Sequence, residues 1–266
     1  MDGFIRKPLI IAHRGASLTA PENTIAAFSR AVEDGAEGIE FDVRLTRDGV
    51  PVVFHDASLK RIAGVEKRIS AVSLAELAQF DAGTWFNRMH SGSSAAKFEN
   101  ERVPTLEDTL EFLKVFRGPI YIELKSTARS IRTLAESVAE VLSRFSGSLK
   151  VIVKSFDFEV VKMVRAISPG VETAALFAPS IMQILRKESM LIKIAKETGF
   201  TRLSLHFSLA SRKLMEIADS EKIPVTIWTA DSPRWIKRSI DLGIDSLITN
   251  DPRSQLAVRN KAFAKR

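Results

Sequence analysis

The stretch Gly38-Ile-Glu-Phe-Asp-Val-Arg-Leu-Thr-Arg-Asp-Gly-Val-Pro-Val-Val-Phe-His-Asp56 decides how this chain folds. It holds two apolar runs with no room for a helix between them, and an Asp-Gly between such runs signals a β-hairpin. Residues 40–44 and 51–55 are therefore expected to pair antiparallel around Arg47-Asp48-Gly49. With the turn centred on Arg47-Asp48, Glu40 faces His55 and Asp42 faces Val53. Directly paired residues share a face of a sheet, so Glu40, Asp42 and His55 are predicted to point one way. A slip of one residue would break that set.

Outward from the hairpin, short apolar runs alternate with segments of helical period. That pattern belongs to parallel strands with crossover helices. The strand candidates are Leu9–His13, Gly38–Val43, Ile120–Leu124, Val151–Ser155, Glu172–Phe177, Arg202–His206, Val225–Thr229 and Ser246–Thr249. Eight such units predict an α/β fold of the (β/α)8, or TIM-barrel, class, with the hairpin following its second strand. Helices are expected over 21–34, with Pro21 in the first turn and Gly35 as the stop, and over 128–145, with Ile131, Leu134, Val138 and Leu142 on one face. Segments 157–168, 180–198, 209–221 and 233–242 follow the same pattern. Residues 57–106 interrupt the alternation, and loops beyond about 15 residues carry their own structure or a function. Leu74, Leu77, Phe80, Trp85 and Phe86 need burial, so this insertion is predicted to form a small ordered cap on one domain spanning 1–266.

At 266 residues, 45% hydrophobic and 27% charged, the chain has the makeup of a globular protein with a full core. Its net charge of +7 suits anionic ligands such as phosphate esters, although a basic surface without a specific partner is equally consistent. The basic residues that crowd the tail from Arg259 to Arg266 read as a solvated helix end. Cysteine is absent, which excludes disulfides, thiolate metal sites and cysteine nucleophiles. The opening residues lack the apolar run of a signal peptide, and no run of 18 apolar residues offers a membrane span, so a cytoplasmic place is expected.

Active sites of barrels gather at the C-terminal ends of the strands. There the sequence sets His13 and Arg14, then Glu40 and Asp42, then Glu123 and Lys125, and later Ser155, His206 and Trp228. Glu40 and Asp42 lie on one side of a strand and would repel each other without a cation. With Glu123 they form a hard oxygen set that favours Mg2+ or Ca2+ over zinc, although His13 or His55 as zinc ligands stays open. Arg14 beside a glycine suits a phosphate oxyanion. Lys125 either meets phosphate or balances Glu123. Two imidazoles, His13 and His55, titrate near neutrality and suit acid–base work. His90 reads as a bystander, His206 as a substrate contact or a bystander, and Trp228 with Phe156 as an apolar wall or as core.

These residues form recognisable motifs. His13-Arg-Gly-Ala16, Pro21-Glu-Asn-Thr24, Gly38-Ile-Glu-Phe-Asp-Val43 and Val52-Val-Phe-His-Asp56 resemble, in order and spacing, the signature of the glycerophosphodiester phosphodiesterases of cytoplasmic bacterial type. Val103-Pro-Thr-Leu-Glu107, Tyr121-Ile-Glu-Leu-Lys125, Ser155-Phe-Asp157, Trp228-Thr229 and Ile248-Thr-Asn250 extend the likeness over residues 8–252. The resemblance implies a TIM barrel with an insertion after the second histidine. It also implies Mg2+- or Ca2+-dependent hydrolysis of glycerophosphodiesters to sn-glycerol 3-phosphate and an alcohol. It gives Glu40, Asp42 and Glu123 as metal ligands, His13 and His55 as acid–base catalysts, and Arg14 and Lys125 as phosphate contacts. His206 matches a strand-end position of the bacterial members, and related phospholipases imply attack by a neighbouring substrate hydroxyl through a cyclic phosphate. The chain departs from the family pattern at Ala57-Ser58, around Gly64 and at Ala230-Asp231, which bears on the alcohol accepted.

The expected partner is thus a small glycerophosphodiester rather than nucleic acid. A lysophospholipase D acting at a membrane and a non-catalytic glycerophosphodiester-binding barrel are the alternatives. A binding barrel would normally lose a histidine or a carboxylate. A carboxylate-pair glycosidase would not need His13, His55 and Arg14.

Overall fold

Eight strands run parallel and close on themselves: β1 (Leu9–His13), β2 (Gly38–Leu45), β4 (Pro119–Leu124), β5 (Lys150–Ser155), β6 (Glu172–Phe177), β7 (Arg202–His206), β8 (Val225–Trp228) and β9 (Ser246–Thr249). Strand β1 pairs with both β9 and β2, which shuts the ring; β3 (Pro51–Val53) hangs antiparallel on the end of β2. The computed structural model describes residues 6–89, 98–185 and 187–264; His90 and the Ser91-Gly-Ser-Ser94 run lie outside them. The (β/α)8 barrel expected from the alternation is the observed fold.

The ring is filled from within. Ile11, Tyr121, Ile152, Ala174 and Ile248 form a small interior cluster, and Tyr121 Oη meets Thr226 Oγ1 at 3.1 Å and Ser246 Oγ at 3.2 Å. Because successive side chains alternate across a strand, the next inward residues up the ring include His13, Glu123 and Lys154, with Leu176 on β6. Those residues face the mouth.

The crossover helices are α1 (Ile25–Glu33), α5 (Leu106–Phe112), α6 (Ile131–Arg144), α7 (Phe158–Ile167), α8 (Ser189–Thr198), α9 (Arg212–Ser220) and α10 (Arg234–Leu242), followed by α11 (Pro252–Ala264). Their apolar faces pack on the outside of the barrel in one core. Two expectations change. Helix α1 begins at Ile25, not at Pro21, because Thr24 accepts a hydrogen bond from Ala27 N and caps it there. The segment 180–198 splits into a 3-10 turn at Pro179–Gln183 and α8.

The tail also differs. Arg259 is 2% exposed, not solvated: its guanidinium donates to Pro8 O at 2.8 Å and forms a bidentate pair with Glu37 at the foot of the barrel. Glu37 in turn accepts from Ile10 N.

The hairpin forms, with a different register. Val43 pairs with Val53 and Leu45 with Pro51, one residue away from the expected pairing. The cause is the loop Thr46–Val50, closed by Thr46 N donating to Val50 O and containing Gly49 at φ +80°, which adds one residue to the turn. Asp42 therefore lies opposite Phe54, whose N–H it accepts at 2.9 Å. His55 escapes the consequence because β3 ends at Val53, so the next two residues re-aim the imidazole off the ladder.

Between β3 and α5, three short helices, α2 (Lys60–Ala63), α3 (Leu74–Leu77) and α4 (Thr84–Met89), enclose a second apolar cluster. Leu59, Ile62, Leu77, Trp85, Phe86 and Val103 pack there against Val52 and Phe54 of the hairpin, with Leu74 and Phe80 partly buried. Asp81 binds this segment together, accepting from Gly83 N, Thr84 N and Asn100 N. Those three donors hold its carboxyl at about 2 against the opposing effect of burial.

Candidate active site

The loop after β1 is built around strain. Arg14 stands at φ +55°, Gly15 at +81° and Asn23 at +59°. A Cβ on Gly15 would lie 2.6 Å from the backbone of Ala27, so only glycine lets the loop touch α1 this closely. The bent loop turns His13, Arg14 and Asn23 toward the ring of strands.

Glu40, Asp42 and Glu123 face them, and each offers one oxygen to a group whose members all lie within 4.8 Å of one another. All three are buried. Burial alone would raise their pKa, yet Glu40 and Asp42 are held below the ordinary carboxylate range. Lys154 and His13 outweigh burial at Glu40, and Lys125, Arg14 and the two histidines do so at Asp42. Three cations compensate the cluster. Arg14 Nε lies 3.2 Å from Asp42, Lys125 Nζ touches Glu123 and lies 3.1 Å from Asp42, and Lys154 Nζ lies 2.8 Å from Glu40 and 3.5 Å from Glu123. Asn23 Nδ2 donates to Asp42 at 3.1 Å.

The cluster fits a hard cation. Its donors are all oxygens, and the buried Glu40 Oε1 is met by the Lys154 ammonium at 2.8 Å. Three buried carboxylates this close repel one another, and a divalent cation between them would offset that repulsion.

Both imidazoles are fixed through Nδ1. His13 Nδ1 meets Asn250 Oδ1 at 2.7 Å, and the Asn250 amide is itself oriented because its Nδ2 donates to Asp231 at 2.7 Å. Oδ1 can only accept, so His13 Nδ1 carries the proton and Nε2 is left free on the side of Glu40, 3.9 Å away. His55 Nδ1 meets Asp56 at 2.7 Å with the same consequence. Asp56 is clasped by Arg61 Nε at 2.7 Å, and Arg61 also reaches Glu22, the partner of Arg14. Arg44 Nε donates to His55 O at 2.7 Å.

The opposite side of the mouth is aromatic. His206 and Trp228 meet edge to face with centroids 5.3 Å apart, and Phe156 meets Trp228 at 5.8 Å while remaining 51% exposed. His206 Nδ1 accepts from Ser208 N, leaving Nε2–H, and burial lowers its pKa, so the ring is neutral at neutral pH. Trp228 Nε1 is buried without a partner. Trp228 stands at the end of β8 with its ring between Phe156 and His206 and one edge packed on the interior cluster.

Of the ten residues singled out from sequence, nine (His13, Arg14, Glu40, Asp42, His55, Glu123, Lys125, His206 and Trp228) have side chains at one mouth of the barrel. Ser155 does not join them, since its Oγ donates to Leu124 O and accepts from Asp157 N. Lys154, one position earlier, is the inward residue of β5, opposite Glu123 in the ladder. Its signal was legible in parity: a lysine within Val151-Ile-Val-Lys154 falls on the same face as Ile152. Asn23, Arg61, Asn250 and Asp231 gave no such signal, because their roles come from loops meeting in space.

A sequence profile of the glycerophosphoryl diester phosphodiesterase family matches residues 13–254. A glycerophosphodiester phosphodiesterase of Caldanaerobacter subterraneus is 31% identical over 259 residues, which cover 96% of this chain and 99% of the relative. Among solved structures, an Oleispira antarctica phosphodiesterase in complex with the product sn-glycerol-3-phosphate superposes with a TM-score of 0.83 at 25% identity, covering 95% of this chain and 97% of that one. A glycerophosphodiester phosphodiesterase of Agrobacterium tumefaciens follows with a TM-score of 0.74 at 25% identity, covering 94% and 99%. The chain is a phosphodiesterase that belongs to the glycerophosphoryl diester phosphodiesterase family.

Proposed function

We propose that this barrel, with residues 57–106 as its cap, hydrolyses glycerophosphodiesters to sn-glycerol 3-phosphate and an alcohol, with Mg2+ or Ca2+ as cofactor. The observation that carries the reading is the meeting of two Nδ1-anchored imidazoles with a buried all-oxygen carboxylate group in one mouth. The product bound to the Oleispira antarctica phosphodiesterase supports the same substrate class.

In this reading Glu40, Asp42 and Glu123 hold the cation, which supplies positive charge against the phosphoryl oxygens. Arg14 and Lys125, both near the surface of the mouth, turn from the carboxylates to the phosphate. One histidine takes the proton of the glycerol 2-hydroxyl on its free Nε2 as that oxygen bonds to phosphorus. The other, entering the step as the imidazolium with Nδ1–H still held by its acceptor, gives its Nε2 proton to the departing alcohol oxygen as the phosphorus–oxygen bond breaks. Water then opens the cyclic phosphate with the two roles reversed. The Phe156–Trp228–His206 wall takes the organic part of the substrate against its ring faces and edges.

The test is coupled release of glycerol 3-phosphate from a panel of glycerophosphodiesters after exhaustive chelation. Activity should vanish and return with Mg2+ or Ca2+ better than with Zn2+; undiminished turnover in the chelated enzyme would refute the cation. A 2-deoxy-glycerol analogue should bind and turn over very slowly. Comparable cleavage of that analogue would replace the hydroxyl attack by direct attack of water.

A further inference from the structure

Of the three cations that meet the carboxylate cluster, two reach the surface and one does not. The side chains of Arg14 and Lys125 are 17% and 16% exposed, whereas that of Lys154 is 2% exposed. Arg14 sits on the strained β1 loop and Lys125 follows the end of β4, so both can swing into the mouth. Lys154 lies within β5, opposite Glu123, with Val153 and Ser155 fixing the backbone on either side. Its stem is walled in, and among the described residues its ammonium ion-pairs with Glu40 and Glu123.

We propose that Lys154 is a fixed countercharge in the floor of the cluster, which sets the affinity and the valence preference of the cation site. The proposal rests on reading Glu40, Asp42 and Glu123 as that site. Their charges sum to −3, and the Lys154 ammonium brings the total to −2, the charge that one divalent ion neutralises. Arg14 and Lys125 are then released together when the ion enters, and their two positive charges fall to the phosphate. Without Lys154 the buried −3 would hold one of them back.

An electrostatic countercharge is distinguishable from a mere prop, because its effect scales with the charge of the ion. The experiment titrates the metal-free full chain and Lys154→Gln with Ca2+ by calorimetry and with Tb3+ by luminescence, at constant ionic strength. The Gln variant should bind Ca2+ about tenfold more tightly and Tb3+ about thirtyfold, since the gain in log affinity for a trivalent ion is about half as large again. Its metal-free form should melt at a lower temperature than wild type and recover more on adding Ca2+. Lys154→Arg should keep the wild-type ratio of Tb3+ to Ca2+ affinity.

Unchanged or weaker Ca2+ binding by the Gln variant, or equal gains for the two ions, would overturn the proposal. So would an Arg variant that behaves like Gln, or a Gln variant that stays unfolded with Ca2+ in excess. If wild type itself binds neither ion, the cation reading falls together with it. If wild type binds and Lys154→Gln is no different, only the countercharge falls.

Discussion

The mouth of the barrel has two unlike halves. On the side of β1, β2, β4 and β5, carboxylates, ammonium groups, a guanidinium and an imidazole are packed within salt-bridge distance. On the side of β7 and β8, the same inward positions carry a neutral imidazole and an indole, with Phe156 beside them. Both halves occupy equivalent places in one ring, so the backbone does not cause the difference; the choice of side chain at each inward position does. A site divided in this way suits a ligand with one ionic and one organic end, as a phosphodiester of an alcohol has.

The largest effects are expected where the division is sharpest. His13→Ala and His55→Ala should each lower kcat by roughly 10²–10⁴-fold with the fold and KM nearly unchanged, the cost of losing a positioned acid or base. Steady-state kinetics on folded variants checks this, and near wild-type turnover in either would remove that residue from the chemistry. Asp231→Ala probes how the ionic half is aimed. It frees the Asn250 amide to turn its NH2 toward His13, so kcat should fall about 10- to 100-fold, the scale of a lost outer hydrogen bond. If kcat stays at the wild-type level, His13 is held without this relay.

Across the mouth, Trp228→Ala should raise KM about fivefold for substrates with bulky apolar alcohols and leave kcat within a factor of about three, since an aromatic contact contributes about 1 kcal/mol. An equal change for every alcohol would assign Trp228 to packing instead. The smallest effect concerns acid. Glu22 is mostly buried, which would raise its pKa, but Arg61 and Arg14 hold it below the ordinary 4.5. A depressed carboxyl confers stability that is complete above its unfolded pKa and is lost as pH falls through the folded value. Thermal melts from pH 7 to 3 should therefore show wild type losing more than Glu22→Gln below about pH 4.5, by a few degrees. Parallel curves would show that the pair adds nothing.

Much of this was legible in sequence because alternation is a local rule. Strands Leu9–His13, Glu172–Phe177, Arg202–His206 and Ser246–Thr249 are observed with the bounds their apolar runs predict, since a fully buried parallel strand has little freedom in where it starts and stops. The convergence of the nine residues follows from the same rule applied at strand ends. What the rule does not reach is the geometry of loops. The hairpin register turned on whether the Thr46–Val50 loop held one more residue, a matter of Gly49's left-handed backbone. The orientation of both imidazoles came from partners in loops, and the burial of Arg259 depended on Glu37, 222 positions away. Charge density in the tail gave the opposite impression, because a basic residue's partner is invisible in its neighbours along the chain.

The bond between His13 and Asn250 has a temporal side. During synthesis the carboxylates of β2 and β4 exist long before β9 does, and the two strands can pair as soon as both are made. The His13 imidazole beside them cannot make its bond to Asn250 until that residue, 237 positions downstream, has been added and β9 has docked against β1. Joining ends so far apart is the slow part of making such a ring. A partly folded chain therefore carries the charges of β2 and β4 before His13 has its partner, and that bond forms only when the last strand closes on the first.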